Sequence, residues 1–248
     1  MDVGIGLPNA VPGVDRAGTV DWARRAEEAG FASLGTIGRI AFPNYEELTS
    51  LAAAAAVTER IRLTPDILLA PLYSNLALFA KQTATLDSLS GGGRLVLGLA
   101  PGGREDDFEV SGVDFHRRGK IFDRQLQELP KIWQGDEVGP PLLSGDRPKL
   151  LIGGYTDVSL RRTVEYADGW TQGGGTPEAL AENGAKLDEM WSAAGRDGSP
   201  YKMALFYWAL GDDAEEHARE DLEAYYAWLG EETMNQIVAS AATDADTV

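Results

Sequence analysis

The chain contains no cysteine. Disulfides, thiolate zinc sites and a cysteine nucleophile are therefore excluded, although the missing thiol says nothing about compartment. Histidine is scarce, with two residues, His116 and His217. No His-Glu-x-x-His, no carboxylate–histidine cluster at metal spacing and no Gly-x-Ser-x-Gly occurs, so metal and serine-hydrolase chemistry have no support. Basic charge is short as well: 22 Lys and Arg stand against 39 Asp and Glu, a formal net charge of −17. Nucleic acid needs a basic surface and is excluded as a partner on that ground. An anionic cofactor would need a local cluster of backbone N–H groups, or a few basic residues, acting against the global field. Long apolar runs are missing too. The longest, such as Leu48 to Val57, are too short to span a bilayer, and no basic, apolar leader precedes the first strand. No membrane partner is expected, and the cytoplasm is the default compartment.

What is present is an alternation of short apolar strands and amphipathic helices. Val3–Leu7, Phe31–Ile37, Ile61–Leu69, Arg94–Leu99, Lys149–Ile152, Trp170–Gln172 and Lys202–Leu210 read as strands. Thr19–Ala29, Asn44–Thr58, Leu76–Leu89, Gly119–Trp133, Val158–Ala167, Pro177–Ala194, Asp213–Leu229 and Glu231–Ala239 read as helices. Pro65 inside the third strand demands an irregularity there. Strands alternating with helices imply parallel pairing, and near-continuous apolar strands imply burial on both faces. The expected fold is a (β/α)8 TIM barrel in one domain over residues 1–248, with a long loop at 101–118 after the fourth strand. The eighth strand is missing from this pattern. Asp244 to Val248 reads as the start of one more helix. Two readings fit: a final helix and strand beyond these residues, or a seven-stranded form.

Barrel chemistry sits at the C-terminal ends of strands. That rule selects Pro8-Asn9, Gly38-Arg39, Leu69-Ala70-Pro71, the segment from Ala100 to Gly103, Gly153-Gly154-Tyr155-Thr156, Gly173-Gly174-Gly175 and Ala209-Leu210-Gly211. Gly153 to Thr156 lies between a buried strand and a helix start, where free N–H groups and the positive helix end suit an anion. The same residues also suit a plain turn capped by Thr156. Gly173 and Gly174 form a second such turn. Leu68, Leu69 and Ala70 suit either an apolar shelf for an aromatic ring or an ordinary strand ending. His116 in the long loop is a candidate proton donor, or else a loop residue near a dimer contact. The charges of Arg104, Glu105, Asp106 and Asp107 read as a solvated segment.

Five stretches carry a family resemblance: Trp22–Phe31 (WARRAEEAGF), Ala52–Leu63 (AAAAAVTERIRL), Ala80–Leu99 (AKQTATLDSLSGGGRLVLGL), Arg118-Gly119 with Asp123, and Ala167-Asp168-Gly169-Trp170. Over essentially its whole length the chain resembles the bacterial-luciferase-like flavin-dependent oxidoreductases. The resemblance implies a TIM barrel, a homodimer, and FMN or the deazaflavin F420 as cofactor. It implies that the cofactor ring rests on Ile67 to Ala70, often beside a non-proline cis peptide. It places the phosphate at Gly153 to Thr156 near the Gly173 turn, with Asn9 and Ala100 bordering the pocket. A small organic substrate follows, with reduced FMN and O2 for a monooxygenase or hydride transfer for an F420 enzyme, served by a flavin reductase or an F420-reducing enzyme. A flavin-binding barrel without turnover is the reading from another class. Two departures matter. Where relatives carry an Asp-His pair after the second strand, this chain has Gly38 and Arg39, so the obvious acid or base is lost. Arg39 then either holds an anionic substrate or cofactor or has a surface role. Where relatives have Asn-Pro, this chain has Asn75-Leu76.

Overall fold

The structure is a computed structural model that describes residues 1–145 and 147–247; Val248, the last residue of the expected helix start, lies outside them. The chain divides into two compact units, Met1–Ile152 with Glu165–Asp168, and Gly153–Val164 with Gly169–Val248. Among the described residues no helix is long and apolar enough to cross a membrane.

The first unit runs β1 (Ile5–Gly6), α1 (Arg16–Glu28), β2 (Ser33–Thr36), α2 (Glu47–Ala55), β3 (Arg62–Pro65), β4 (Leu68–Leu69), α3 (Leu76–Leu89), β5 (Val96–Ala100), α4 (Glu105–Val110), α5 (Arg118–Gln134) and β6 (Lys149–Gly153, its last residue in the second unit). β1, β2 and β3 pair in parallel, as do β4, β5 and β6. A bridge between Leu63 and Leu95 ties β3 to the start of β5. Leu34, Leu63, Leu68, Leu97 and Leu99 are fully buried in one core with Phe79 and Phe122, as strands covered on both faces require. Helix ends follow from side-chain chemistry. Asp15 accepts the Gly18 N–H at 2.8 Å to start α1, and Asn75 accepts the Leu78 N–H at 3.0 Å to start α3. The expected third strand is two pieces, β3 and β4, separated by Asp66-Ile67, whose peptide bond is cis. Gly98 on β5 is what lets them bend, because a Cβ there would stand 2.6 Å from the Pro65 carbonyl oxygen.

The second unit holds α6 (Asp157–Tyr166, its last two residues in the first unit), β7 (Gly169–Gly173), α7 (Pro177–Ala193), β8 (Tyr201–Leu205), α8 (Ala214–Tyr226) and α9 (Glu231–Ala239). β7 and β8 pair in parallel from Gly169–Tyr201 to Gly173–Leu205. Leu160, Trp170 and Leu187 form its small core. Thr176 accepts the Ala179 N–H at 3.2 Å and Pro177 fills the first helical position of α7. The expected strand Lys202–Leu210 is shorter, ending at Leu205. Beyond it, Trp208 and Ala242 form a parallel bridge, with Ala242 donating to Tyr207 O and Ala209 donating to Ala242 O, each at 2.9 Å. Among the described residues, the pairing of a strand after β8 is this one bridge. After it, Asp244 accepts the N–H groups of Asp246 and Thr247, each at 2.9 Å, as a helix-starting residue does.

Candidate functional site

The most recognisable sequence is structural. Asp87, fully buried, accepts from Gly93 N at 3.2 Å, Leu143 N at 2.7 Å and Ser144 N at 3.0 Å. It clamps the glycine turn after α3 to the segment that leads into β6. Arg94 donates to Thr58 O, Ile61 O and Ser90 O and to the Thr58 hydroxyl. Asp168 accepts from Arg147 and from Leu150 N. All three lie ahead of strands, at the end where a barrel keeps its stability.

The C-terminal strand ends of the first unit hold the expected ring-side residues. Asn9, buried, donates to Ile37 O at 2.7 Å and to Tyr45 O at 3.1 Å, tying the end of β1 to the end of β2. Its Oδ1 and the Thr36 Oγ1 are buried without a protein partner. Leu68 lies opposite Leu99 and Leu69 opposite Ala100, so the structure brings Leu69 and Ala100 together. Ala70 opens a 3-10 turn whose carbonyl takes a 3.0 Å bond from Gln125 on α5. The shelf of Leu68 and Ala70 is buried, while Leu69 and Ala100 are half-buried. Buried acceptors without partners beside an apolar step fit a flat heteroaromatic ring that carries donors.

The turn after β2 is held by residues that sequence reasoning missed. Asp107, fully buried on α4, accepts from Ile40 N at 2.8 Å and Ala41 N at 2.7 Å. Arg104 and Arg39 flank it at 3.5 Å and 4.0 Å. Arg39 also reaches Asp106 and Ala41 O and lies over the Phe42 ring. Of the two readings of Arg39, its burial at 7% exposure speaks against the surface role. The charges after Ala100 are solvated only in part: Glu105 is exposed, whereas Arg104 and Asp107 are buried, with Arg39 and Arg104 meeting the charge of Asp107. Glu47, also buried, begins α2. A signal for it existed: Glu47 shares a helix face with Leu51, Ala54 and Ala55, where a carboxylate does not belong unless something uses it. Burial raises the Glu47 carboxyl to about 7, with Glu46 and Asp107 pushing the same way and its own backbone N–H opposing. His116 sits exposed on a 3-10 turn against Phe115.

In the second unit, Gly153 ends β6 and Gly154 follows with φ of 134°. A Cβ on Gly154 would meet Ser159 at 3.0 Å, so the turn is closed tightly against α6. Thr156 and Ser159 cap each other: the Thr156 N–H donates to Ser159 Oγ at 3.0 Å and the Ser159 N–H to Thr156 Oγ1 at 3.3 Å. Trp170 Nε1 donates to Gly154 O at 2.7 Å. The Tyr155 hydroxyl donates to Gly173 O, bringing the two glycine turns together. Gly174, with φ of 70°, donates its N–H to Leu205 O at 2.9 Å. Asp157 adds a negative charge at the helix start, met by Lys186. A ten-residue helix whose N-terminus is approached through glycine fits a phosphate.

A family model for the luciferase-like monooxygenases matches residues 1–247. An uncharacterised protein of Mycobacterium tuberculosis is 31% identical over 215 residues, covering 73% of this chain and 73% of its own. The pyrimidine monooxygenase RutA of Methylorubrum extorquens is 30% identical over 221 residues, covering 75% of this chain, which thus spans 57% of that relative. Among solved structures, an F420-dependent secondary alcohol dehydrogenase in complex with an F420-acetone adduct superposes with a TM-score of 0.79 at 18% identity, over 100% of this chain and 88% of its own. The FMN complex of the oxygenating constituent of 3,6-diketocamphane monooxygenase from Pseudomonas putida gives 0.71 at 17% identity, over 97% and 79%. At those identities the structures speak for the fold, which is the α/β, parallel-stranded, luciferase-like one. The match from end to end, together with the relative at 31%, leaves one assignment: the chain belongs to the luciferase-like monooxygenase family.

Proposed function

We propose that this protein is a flavin-dependent oxidoreductase, a monooxygenase that acts on a small organic substrate with reduced FMN and O2, the reduced flavin coming from a separate reductase. The observation that carries the reading is the family match over residues 1–247, and the sequence likeness to a pyrimidine monooxygenase supports the oxygenating version. The cofactor, once bound, would supply the redox chemistry; the chain supplies position, electrostatics and exclusion of water. In the first unit, Leu68, Leu69, Ala70 and Ala100 are the apolar step for the ring, and the buried Asn9 Oδ1 accepts from a ring N–H. In the second unit, Gly153, Gly154, Tyr155 and Thr156, with Gly173 and Gly174 beside them, receive the phosphate at the start of α6. Substrate choice belongs to residues 101–118, where α4 and the Phe108–Phe115 ring pair stand.

The test is a pair of titrations followed by turnover. The purified chain is titrated with FMN and with F420, then supplied with chemically reduced FMN, O2 and a panel of small organic compounds that includes pyrimidines. Micromolar FMN binding and oxygenated product are expected. Binding of F420 alone would replace the reading with hydride transfer, binding without product would leave a flavin-binding protein, and binding of neither cofactor would overturn it.

A further inference from the structure

The residues that follow the end of β2 include Gly38 and Arg39. The structure explains the glycine. A Cβ built on Gly38 would stand 1.2 Å from Glu47 Oε1 and 1.8 Å from its Cδ. The carboxyl group of Glu47 thus fills the side-chain space that residue 38 leaves empty. Any other residue at 38 requires the Glu47 carboxyl to move out of this space. Glu47 and Asp107 hold the turn from Gly38 to Ala41 from two sides, Glu47 packed into Gly38 and Asp107 accepting from Ile40 and Ala41. Their settings differ. Asp107 faces Arg39 and Arg104. Glu47 is buried beside acidic Glu46 and Asp107 and beside Tyr73, whose hydroxyl points to Glu46. Thr36, two residues before Gly38 on the same strand end, carries a buried hydroxyl without a protein partner.

We propose that Glu47 is the proton-exchanging residue of this site, its carboxyl occupying the side-chain space that Gly38 leaves at the end of β2. The proposal deepens the flavin-dependent reading and rests on it. In the step assigned to it, the Glu47 O–H bond breaks and its proton passes to an oxygen or nitrogen of the bound substrate or of an intervening water; the carboxylate recovers a proton from solvent before the next turnover. Burial among acidic neighbours is what lets a carboxyl keep its proton near neutrality, where such exchange is useful. The charged groups that raise it are Glu46, which caps its own helix, and Asp107 on α4; Tyr73 after the 3-10 turn lies near it, and Arg39 in the β2–α2 turn faces Asp107.

Two measurements test it, one independent of cofactor. The infrared difference spectrum between the wild type and Glu47→Gln, followed from pH 4 to pH 9, should show a carboxylic acid band lost with a midpoint near 7; a midpoint near the ordinary 4.5 would overturn the proposal. In turnover with FMN, the wild-type pH profile should carry an inflection that Glu47→Gln abolishes together with about a hundredfold loss of rate, while FMN affinity changes less than threefold. A His116→Ala/His217→Ala double variant, which removes both of the chain's exposed histidines, serves as a control. An inflection that survives Glu47→Gln and disappears in the histidine variant also overturns the proposal. If the chain binds neither FMN nor F420, the functional reading fails, and the infrared titration still decides the state of Glu47.

Discussion

At the residue scale, glycine and buried carboxylates do the positioning. Gly38, Gly98 and Gly154 are each backed by atoms that a side chain would displace: Glu47, the Pro65 carbonyl and Ser159. Gly154 adds a backbone of positive φ, where a β-branched residue is strained whatever the space. Gly154→Val should weaken FMN binding at least tenfold while circular dichroism shows the folded state retained; unchanged affinity in a folded variant would remove the phosphate from this turn. Asp87 works differently, as one carboxylate serving three N–H groups in full burial. Asp87→Ala leaves those donors without a partner and should cost about 3 kcal/mol in urea unfolding, with a loss below 1 kcal/mol counting against the clamp. Gly38 and Gly154 could be read from the sequence because they stand at strand ends; Gly98, inside β5, could not. The partners that make them necessary could not, because Glu47 lies nine residues after Gly38 and meets it only when α2 folds back on β2.

At the scale of elements, periodicity and caps gave good helix boundaries where both were present. Leu76–Leu89 and Glu231–Ala239 agree with the structure at both ends, the former because Asn75 caps the start and a run of glycines stops the end. α4 was missed because six residues are too few to display a helical period and its charges look solvated. The burial of Asp107 among them is accompanied by Arg39, which is distant in sequence. The third strand was anticipated as irregular from Pro65, but the division into β3 and β4 needed Gly98 on the neighbouring strand. Gly98→Ala places a Cβ against backbone rather than a flexible side-chain tip, so it should destabilise the first unit by roughly 1–3 kcal/mol. Denaturant unfolding measures this, and a neutral result would mean that the bend yields freely.

At the scale of the whole molecule, charge and burial interact through pH. The chain is strongly acidic at −17, yet one of its buried carboxyls holds a proton to about 7. The sign of the linkage follows from proton binding. Below pH 4.5, the ordinary value, Glu47 is protonated folded or unfolded and its contribution is fully present. Between 4.5 and about 7 the unfolded chain releases the proton and the folded chain keeps it, so stability falls, by up to about 3 kcal/mol in all. Glu47→Gln lacks this slope and should gain on the wild type between pH 5 and pH 8 in urea midpoints; parallel curves would contradict the burial argument. Function, by contrast, was legible at the level of family because LDSLSGGGRLVLGL and YADGW are structural staples with fixed partners, Asp87, Arg94 and Asp168. Those staples lie away from the strand ends where substrate is chosen, so the stretch that names the family leaves the substrate open. The central claim is that the chain is built to hold a flavin, and equilibrium titration of the full chain with FMN, followed by quenching of flavin fluorescence, tests it most directly. Saturation at one FMN per chain with a micromolar or tighter Kd is the predicted result, and no saturable binding of FMN up to millimolar concentration is the result that would contradict it.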